Sequence, residues 1–582
     1  MNICEKNGGG RSSEGFLYNV RLSVGLVVGL FAFETFGAAS DRIREVPQPA
    51  VSATNGVLES APPGIRIGGD GYLLSKHSES SDESHNCVPP ELEQFVNAQV
   101  AHNRILLGLT ETAPSTPQGG IAAVVPPVLY TFFPCAGRQD HGDVFNGQFV
   151  DLDPTPGTQD YQCRTLVGDG HAGVDCSMLS FSQQLIGVPV FAAKDGVVTF
   201  AQDGWPDMNL NGGVQGNIIA IDHGNGVESQ YYPLRNGSVA VTLGQHVKAG
   251  QQIAYAASSG NSFGPHLHFQ TMVNGQVYEP FAGACRAGDS GWTNQAALDT
   301  NDLFLVDFGI TRTDLNTLNP SWWLPYSLPT DSQFSTSDAN INFWWEVWNF
   351  PTDCPFSVRF YKPNNSLAWD YTWHWGNTEL YRHQKSWFGF DFQAMGPVAG
   401  TWRIEFYLNG QLMINAPFVV VAGAADPSFN RPPQPITASF LPAAPTTSDV
   451  VVCRVNTTLA QEDLDWDVMR YHFVWKVNGN IVRDVTNGVQ SDAIPHDLAC
   501  AGSNLTCTVT PNDGKINGTP ASVSTIIPGP ITGDLNCDGA VNINDLTAII
   551  LNWGTAGPAG DANHDNIVNI DDLTVVILNW TH

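Results

Sequence analysis

The sequence predicts a mainly β, multidomain protein with one compact antiparallel β domain, two β-sandwich modules and a small α-helical tail. Three observations support this prediction. The 582 residues exceed what one core accommodates, and about 150 residues per domain gives roughly four units. The chain contains 57 glycines and 38 prolines, and they separate short apolar runs in the way that turns separate strands. Only the C-terminal end carries a repeated helical pattern.

The charge composition excludes one class of partner. The chain has 56 acidic against 26 basic residues, and its formal net charge is −30. Because a phosphate backbone repels such a surface, we expect no nucleic-acid partner. The same surplus suits a soluble protein in which some carboxylates bind cations.

Residues 1–39 have the pattern of a signal peptide. Arg21 precedes an apolar run over residues 22–33, and small residues follow before Ser40. A membrane anchor is the alternative, but about twelve apolar residues are too few to span a bilayer. We therefore expect a secreted or cell-surface protein with no membrane span after signal removal. Its ten cysteines beyond Cys4 favour disulfides in an oxidising compartment.

Two segments follow the signal. Residues 40–125 are rich in Pro, Ser and Gly with little periodicity, which predicts a poorly ordered leader with a short helix over about 91–107. Residues 126–290 contain the short β-type runs VPVFAA, GVVTFA, NIIAID, QQIAYAA and HLHFQTMV between Gly-rich turns. These runs predict the compact antiparallel β domain.

Two histidine-containing motifs in the 126–290 domain have the composition of a zinc site. The motif HAGVD supplies His171 and Asp175, and the motif GPHLHF supplies His266 and His268. Zinc binds a few converging nitrogen and oxygen ligands, with one position open when the ion is catalytic. Because residues two apart on a strand share a face, both imidazoles of the second motif can point into one cleft.

The flanks of these motifs carry a family resemblance. The runs GVPVFAAKDGVVTFA, GNIIAIDHGNG and QHVKAGQQIAYAASSGNSFGPHLHF, together with GHAGVD, make residues 165–280 resemble the lysostaphin/LytM-type zinc endopeptidases. That family cuts peptide cross-links in bacterial cell walls. The resemblance implies that His171, Asp175 and His268 bind zinc, and that His266 is the catalytic histidine beside it. A metal-bound water would then attack the peptide carbonyl.

One position departs from the family pattern. Where the family has Tyr-x-His-Leu, this chain has Tyr-Tyr-Pro-Leu, so Pro233 replaces a second catalytic histidine. Proline provides neither a proton nor a ligand. The hydroxyl of Tyr231 or Tyr232 could serve an oxyanion, although packing is the simpler role, and His223 matches a structural position. Two hypotheses remain: an active zinc endopeptidase, or a zinc-binding pseudopeptidase that acts in cell-wall binding, surface adhesion or assembly.

The two predicted sandwiches differ in composition. Residues 300–423 alternate in the run WRIEFYLNG and are rich in tryptophan, which serves either core packing or a carbohydrate-stacking surface. Residues 432–528 place Cys453, a tryptophan and Cys507 on successive strands, an order that resembles an immunoglobulin-like sandwich. We expect a disulfide between these two cysteines, with Cys500 as a competing partner, and a role in spacing or adhesion.

Residues 531–582 contain a repeat with a period of about 27 residues. Each copy, DLNCDGAVNINDL or DANHDNIVNIDDL, spaces oxygen ligands as a calcium loop does and is followed by an apolar helix. The first loop offers side chains of Asp534, Asn536, Asp538, Asn542 and Asp545 with the Ala540 carbonyl. The second offers side chains of Asp561, Asn563, Asp565, Asn569 and Asp572 with the Ile567 carbonyl.

This repeat resembles a dockerin, which implies a calcium-dependent fold and a cohesin-type partner protein. Taken together, the sequence predicts one zinc ion, two calcium ions and a secreted metalloendopeptidase for cell-wall or similar peptides, anchored through its tail. A polysaccharide-degrading enzyme is a third reading, but no paired carboxylates in recognisable motifs support it.

Overall fold

The computed structural model describes residues 65–72, 90–109, 130–138, 143–165, 167–208, 215–260, 262, 264–295, 303–317, 328–376, 380–496, 498–499, 502–528, 532–536, 540–556, 560–563, 565 and 567–581. Strands predominate, so the mainly β class is confirmed. The predicted signal peptide lies outside these residues. Among the helices that the structure describes, none has the length and apolar content needed to cross a lipid bilayer.

The leader contributes two elements to the fold. Strand β1 (Ile65–Tyr72) and helix α1 (Pro90–Leu106) lie within the segment predicted as poorly ordered. The strand joins a sandwich sheet several hundred residues away, and the helix buries Leu92, Val96 and Val100 against the central domain. Helix α1 lies where the short helix was predicted, whereas the strand was not predicted, because its pairing partner lies far away in the sequence.

The central domain is an antiparallel sheet with a small partner sheet. The main sheet has the strand order β2-β3-β10-β7-β6-β5-β8, with β11 paired to β10, and β4 pairs with β9. The elements are β2 (Val144–Gln148), β3 (Gly173–Met178), α2 (Phe181–Ile186), β4 (Pro189–Phe191), β5 (Gly196–Gln202), β6 (Asn217–Asp222), β7 (Val227–Leu234), β8 (His246–Val247), β9 (Gln252–Tyr255), β10 (His266–Val273) and β11 (Gln276–Val277). Disulfides Cys135–Cys176 and Cys163–Cys285 lie within this domain.

The first sandwich packs two sheets around an aromatic core. One sheet has the order β1-β17-β14-β12 and the other β13-β19-β18-β15-β16. Its elements are β12 (Phe304–Thr311), β13 (Gln333–Ser335), β14 (Asn340–Phe350), β15 (Pro355–Tyr361), β16 (Leu367–His374), β17 (Tyr381–Asp391), β18 (Gly400–Leu408) and β19 (Gln411–Val421). Trp344, Trp345 and Trp387 are buried. Trp369, Trp373 and Trp375 are partly buried against the same core. These positions favour the packing interpretation over a carbohydrate surface.

The second sandwich has a three-stranded sheet, β20-β21-β24, and a four-stranded sheet, β23-β22-β25-β26. Its elements are β20 (Ala438–Leu441), β21 (Val451–Val455), α3 (Leu459–Glu462), β22 (Arg470–Val477), β23 (Asn480–Asn487), β24 (Ser491–Ile494), β25 (Asn504–Asn512) and β26 (Ala521–Ile526). The predicted Cys453–Cys507 disulfide is not formed here. Both cysteines are free thiols, buried in one core with Trp475. Burial and the neighbouring Cys453 thiol raise the pKa of Cys507.

The second sandwich packs directly on the central domain. Val450, Val489 and Ala493 belong to the same hydrophobic cluster as the central core. Hydrogen bonds cross the contact as well: Gln183 Nε2 donates to the Gly488 carbonyl at 3.0 Å. The two units therefore share one apolar interior.

The tail consists of helix α4 (Ile543–Leu551) and helix α5 (Ile570–Leu578), which pack together around Val541, Ile549, Val568 and Val576. Asn542 and Asn569 cap the two helices at equivalent positions of the repeat. Each copy of the repeat thus forms the same loop-and-helix unit.

Candidate metal centre

Two neighbouring strands bring the histidine motifs together. Strands β3 and β10 are antiparallel, and His268 lies directly opposite Asp175 in their register. Side chains at directly opposed positions share a face of the sheet. His171 lies two residues before β3, and its side chain contacts those of Asp175 and His268. The structure therefore places the three predicted zinc ligands side by side.

The distances between these side chains fit one zinc ion. His171 Nε2 lies 3.2 Å from Asp175 Oδ2, and His268 Nδ1 lies 2.9 Å from Asp175 Oδ1. The two ring nitrogens, His268 Nδ1 and His171 Nε2, are 3.2 Å apart. Tetrahedral ligands about 2.0–2.1 Å from zinc would be roughly 3.3 Å from one another. One nitrogen of each histidine and the Asp175 carboxylate, which approaches the two rings through different oxygens, thus form a set that suits this metal.

A backbone carbonyl orients one of the rings. His171 Nδ1 lies 2.7 Å from the Phe149 carbonyl oxygen. That contact requires a proton on Nδ1, so the Nε2 lone pair faces Asp175 and His268. Outer contacts of this kind fix the tautomer and ring plane of zinc-binding histidines. Phe149, which lies outside the HAGVD motif, therefore fixes the tautomer in which His171 can bind a metal.

The charges around Asp175 keep its carboxylate ionised. Burial would raise its pKa, but the charges of His171 and His266 outweigh burial and hold the pKa well below the ordinary value. Burial also lowers the pKa of His268, which favours the neutral imidazole that a metal requires. A neutral imidazole and an anionic carboxylate are the ligand forms that zinc binds.

A glycine inside the first motif makes room for the second. A Cβ atom at Gly173 would lie 2.6 Å from His268 Nε2, closer than carbon and nitrogen atoms can approach. Any side chain at this position would displace the His268 ring. The spacing between HAGVD and GPHLHF carried no sign of this contact, because it depends on the cross-strand register.

His266 lies on the same face, two residues before His268, and is opposite Ser177. Its Nδ1 lies 2.9 Å from the Gly264 carbonyl oxygen. Its Nε2 is buried and has no hydrogen-bond partner in the described part of the chain. With the proton on Nδ1, the Nε2 lone pair is available to accept a proton.

Pro233 follows Tyr232, the residue of β7 that lies opposite His268. The proline is buried, and its carbonyl accepts a hydrogen bond from the Ala257 amide at 3.1 Å. Its ring offers no proton donor to the metal-bearing face. The position that holds a catalytic histidine in the family pattern therefore has only a backbone role here.

Two of the polar groups near Pro233, those of Tyr231 and His223, have other partners, whereas Tyr232 lies opposite His268. Tyr231 alternates to the opposite face of the sheet, where its hydroxyl accepts from the Ala193 amide at 3.0 Å. His223 contacts the Asp195 carbonyl through Nδ1 and Ser229 Oγ through Nε2, at 2.8 and 2.7 Å. These contacts are structural. Neither residue takes the place of the missing histidine.

Helix α1 covers the sheet face next to the metal-bearing residues. Its apolar side packs on Tyr232 and Ala220, and Gln270, two residues after His268, donates to Glu93 at 3.3 Å. Arg104 at the far end lies 2.9 Å from Asp222. The exposed fractions of the three ligands are 2% for His171, 6% for Asp175 and 1% for His268. In the described part of the chain, helix α1 therefore narrows the access to the metal-bearing face.

In the tail, the last aspartate of each loop holds the start of its own loop. Asp545 Oδ1 accepts from the Leu535 amide at 2.7 Å, and Asp572 Oδ1 accepts from the Ala562 amide at 2.7 Å. Both carboxylates are buried. Asp538 of the first predicted calcium loop lies outside the described residues. The two loops therefore have matching internal contacts where they are described.

Comparison with known proteins narrows the identity of the central domain. Residues 169–280 match Peptidase family M23. The M23 peptidases are zinc-dependent, and the matched segment contains the His-Asp-His group. The M23 domain accounts for about a fifth of the chain, so it does not by itself describe the whole protein.

Two curated proteins and one solved structure are similar to part of this chain. The DD-carboxypeptidase/endopeptidase Mpg of Neisseria meningitidis is 35% identical over 127 residues, which is 22% of this chain and 26% of that protein. Lysostaphin of Staphylococcus simulans is 38% identical over 132 residues, 22% of this chain and 24% of that protein. The catalytic domain of lysostaphin, a solved structure, is 30% identical and covers 24% of this chain and 87% of that chain, with a TM-score of 0.16. The chain spans about a quarter of the length of these two curated relatives.

Proposed function

We propose that this protein is a secreted zinc metalloendopeptidase that cleaves peptide cross-links of the bacterial cell wall or similar peptides. The observation that carries the proposal is the convergence of His171, Asp175 and His268 donor atoms within 4.8 Å of one another, inside the segment that matches M23. The relatives bear the names DD-carboxypeptidase/endopeptidase and glycyl-glycine endopeptidase. Both names describe enzymes that cleave peptides, and a cell-wall or similar peptide is the substrate class proposed here.

In this proposal, one group of residues would bind the zinc ion and a separate histidine would transfer the proton. His171 Nε2, His268 Nδ1 and an Asp175 oxygen would hold zinc, which when bound polarises a carbonyl and lowers the pKa of water. His266 accepts a proton at Nε2 from the attacking water and passes it to the leaving amine. The Phe149 carbonyl keeps His171 in the binding tautomer. The burial of the group excludes bulk water, which strengthens every one of these interactions.

Pro233 predicts a slow enzyme. One missing acid–base or oxyanion group costs about 10²–10⁴ in rate. The alternative is a zinc-binding pseudopeptidase that serves as a cell-wall-binding, adhesion or assembly protein. Two observations favour that alternative: the backbone role of Pro233 and the narrowed access to the metal-bearing face.

The decisive experiment follows new amino termini released from cross-linked peptidoglycan by the full chain loaded with zinc. His266→Ala should keep its zinc and lose at least about a hundredfold in rate, because it removes the proton acceptor. His246→Ala, an exposed histidine of the same domain, is the matched control. Peptidoglycan binding without release by the unchanged protein, with zinc bound, would favour the pseudopeptidase.

We also propose that the tail binds two calcium ions and attaches the protein to a cohesin-type partner. Support comes from apolar side chains that stay exposed at equivalent positions of the repeat. Ile543 and Ile570 are each 58% exposed, and Leu551 and Leu578 are 77% and 78% exposed. An exposed apolar surface that recurs with the repeat is typical of a protein-binding site.

The docking proposal has its own test. A purified cohesin-type module should bind the full chain in calcium and fail to bind in a calcium chelator. Leu551→Asp with Leu578→Asp should abolish binding and leave peptidoglycan hydrolysis unchanged. Equal binding by this double variant would contradict the assignment of the surface. Unchanged binding in chelator would contradict the calcium requirement.

The secreted location rests on the predicted signal peptide and on two disulfides in the central domain. Disulfides persist in oxidising compartments outside the cytosol. The localisation test is the N-terminal sequence of the protein recovered from the culture medium, which should begin near Ser40.

A further inference from the structure

A cluster of carboxylates lies where the two sandwiches meet. The run Asp463-Leu464-Asp465-Trp466-Asp467 follows α3 and alternates acidic with apolar residues. Trp466 has a left-handed backbone, φ 61°, and its ring lies 5.1 Å from the ring of Phe308 in the first sandwich. The acidic side chains are thereby held at the junction between the two modules.

Three of these carboxylates converge. One oxygen each of Asp463, Asp467 and Asp513 lies within 4.8 Å of the others. Oxygen ligands lie 2.3–2.6 Å from calcium, so any two of them are separated by at most about 5 Å. An all-oxygen, all-carboxylate set is the kind that a hard cation such as calcium prefers over zinc.

In the described part of the chain, the Asp463 carboxylate has a hydrogen-bond partner for only one of its two oxygens. Asp463 is only 2% exposed, and its Oδ1 accepts from the Asp465 amide at 2.6 Å. Its Oδ2 is buried without a hydrogen-bond partner in the described part of the chain. A buried carboxylate oxygen without a partner points to a cation or a proton that satisfies it.

The ion pairs around the cluster favour a divalent cation over a proton as the partner of these carboxylates. Four carboxylates, those of Asp463, Asp465, Asp467 and Asp513, face two cationic side chains, Arg431 and Lys515. Arg431 Nε lies 2.8 Å from Asp465 Oδ1, and Lys515 Nζ lies 2.8 Å from Asp467 Oδ2 at the exposed rim. These ion pairs occupy Asp465 and Asp467, whereas Asp463 and Asp513 have no ion-pair partner in the described part of the chain, so a divalent cation can compensate both carboxylates.

We propose that Asp463, Asp467 and Asp513 bind one calcium ion at the junction of the two sandwiches. The ion would link the DLDWD run to the β25–β26 connection that carries Asp513. The connection between the sandwiches reaches the same point, because Asn430 Nδ2 donates to Asp513 Oδ2 at 2.7 Å. The site is separate from the two tail loops and independent of the metallopeptidase proposal.

The first test counts calcium ions. Equilibrium dialysis of the full chain should show one ion fewer in Asp463→Asn with Asp467→Asn than in the unchanged protein, whatever the tail contributes. Asp484→Asn, an exposed acid of the same sandwich, is the matched control and should bind the full number. An equal count in all three proteins would overturn the proposal.

The second test uses the tryptophan inside the run. Terbium(III) in place of calcium should luminesce by energy transfer from Trp466, and Trp466→Phe should lower the signal without lowering the number of ions bound. The double asparagine variant should lose the same part of the signal. A signal that Trp466→Phe leaves unchanged would overturn the placement of the ion.

A stability measurement separates a cation site from a merely structural cluster. In chelator, Asp463→Asn should unfold at a higher temperature than the unchanged protein, because it removes a buried negative charge that has no ion-pair partner in the described part of the chain. In calcium the order should reverse, because only the unchanged protein gains stability from the ion. A variant that unfolds earlier by the same amount in both buffers would contradict the proposal.

Discussion

Loosening helix α1 should expose the metal-bearing face of the central domain. Val96 is 0% and Val100 3% exposed, and both pack against the sheet. Each change to alanine removes two buried methyl groups, which costs about 1.6 kcal/mol in transfer and more where a cavity remains. For Val96→Ala with Val100→Ala together, about 4 kcal/mol corresponds to roughly a thousandfold shift toward the detached helix.

Hydrogen exchange measures this shift without any assumption about catalysis. The backbone amides of α1 should exchange about a thousand times faster in the double variant, while those of β7 and β10 stay protected. Alanine has the higher helix propensity, so faster exchange reports lost packing, not a weaker helix. Ile105→Ala, at a position 69% exposed on the same helix, is the control and should change little.

A change of less than tenfold in the α1 amides would refute this reasoning. It would mean that polar contacts hold the helix in place, such as the ion pair between Arg104 and Asp222 at 2.9 Å. If the protein is the proposed peptidase, the same double variant should also hydrolyse peptidoglycan faster, because the helix occupies the face on which the substrate would lie.

Two further predictions concern the second sandwich. Cys453 and Cys507 should both be alkylated as thiols once the protein is unfolded, because the structure holds them as free thiols in the buried core; peptide mapping that finds them joined by a disulfide would contradict this. Burial raises the pKa of Asp143, at the contact with the central domain, to about 6, and that of nearby Glu462 to about 7. Because both values exceed those of the unfolded chain, the folded state binds protons more tightly. The free energy of unfolding should therefore rise by roughly 1–3 kcal/mol per group between pH 8 and pH 5, as guanidinium titrations would show. A lower stability at pH 5 would contradict the assigned burial.

The metal-bearing residues were predictable because their signals are local. The His-x-His spacing on a strand places both rings on one face, and the two motifs meet through a single strand pairing, β3 with β10. The contacts that complete the centre were not predictable. The Phe149 carbonyl and the space that Gly173 leaves both depend on backbone positions set by the folded sheet.

The surfaces against which the leader helix and the second sandwich pack could not be predicted from local sequence patterns either. Leu92, Val96 and Val100 have the four-residue spacing of a helix face, so the short helix itself was expected over about 91–107. Its partner surface on β6 and β7 lies over a hundred residues away, and no periodicity reveals that pairing. The shared core around Val450 and Val489 likewise depends on contacts between residues far apart in the sequence, which no periodicity reveals.

The carboxylate cluster at the junction of the two sandwiches could not be predicted from the sequence for the same reason. The DLDWD run is visible in the sequence, but an alternating acidic run is usually a solvated surface. Only the folded chain brings Asp513 and Asn430 to it and buries Asp463. Composition indicated that some acids bind cations, and the three-dimensional arrangement indicates which acids.

Zinc-dependent hydrolysis is the measurement that tests the central claim most directly. The full chain and its His268→Ala variant would be stripped of metal, titrated with zinc and assayed for new amino termini on cross-linked peptidoglycan. We expect release that reaches its maximum at one zinc per M23 domain in the unchanged protein and no release in the variant. Equal release by both proteins, or release that does not depend on zinc, would contradict it.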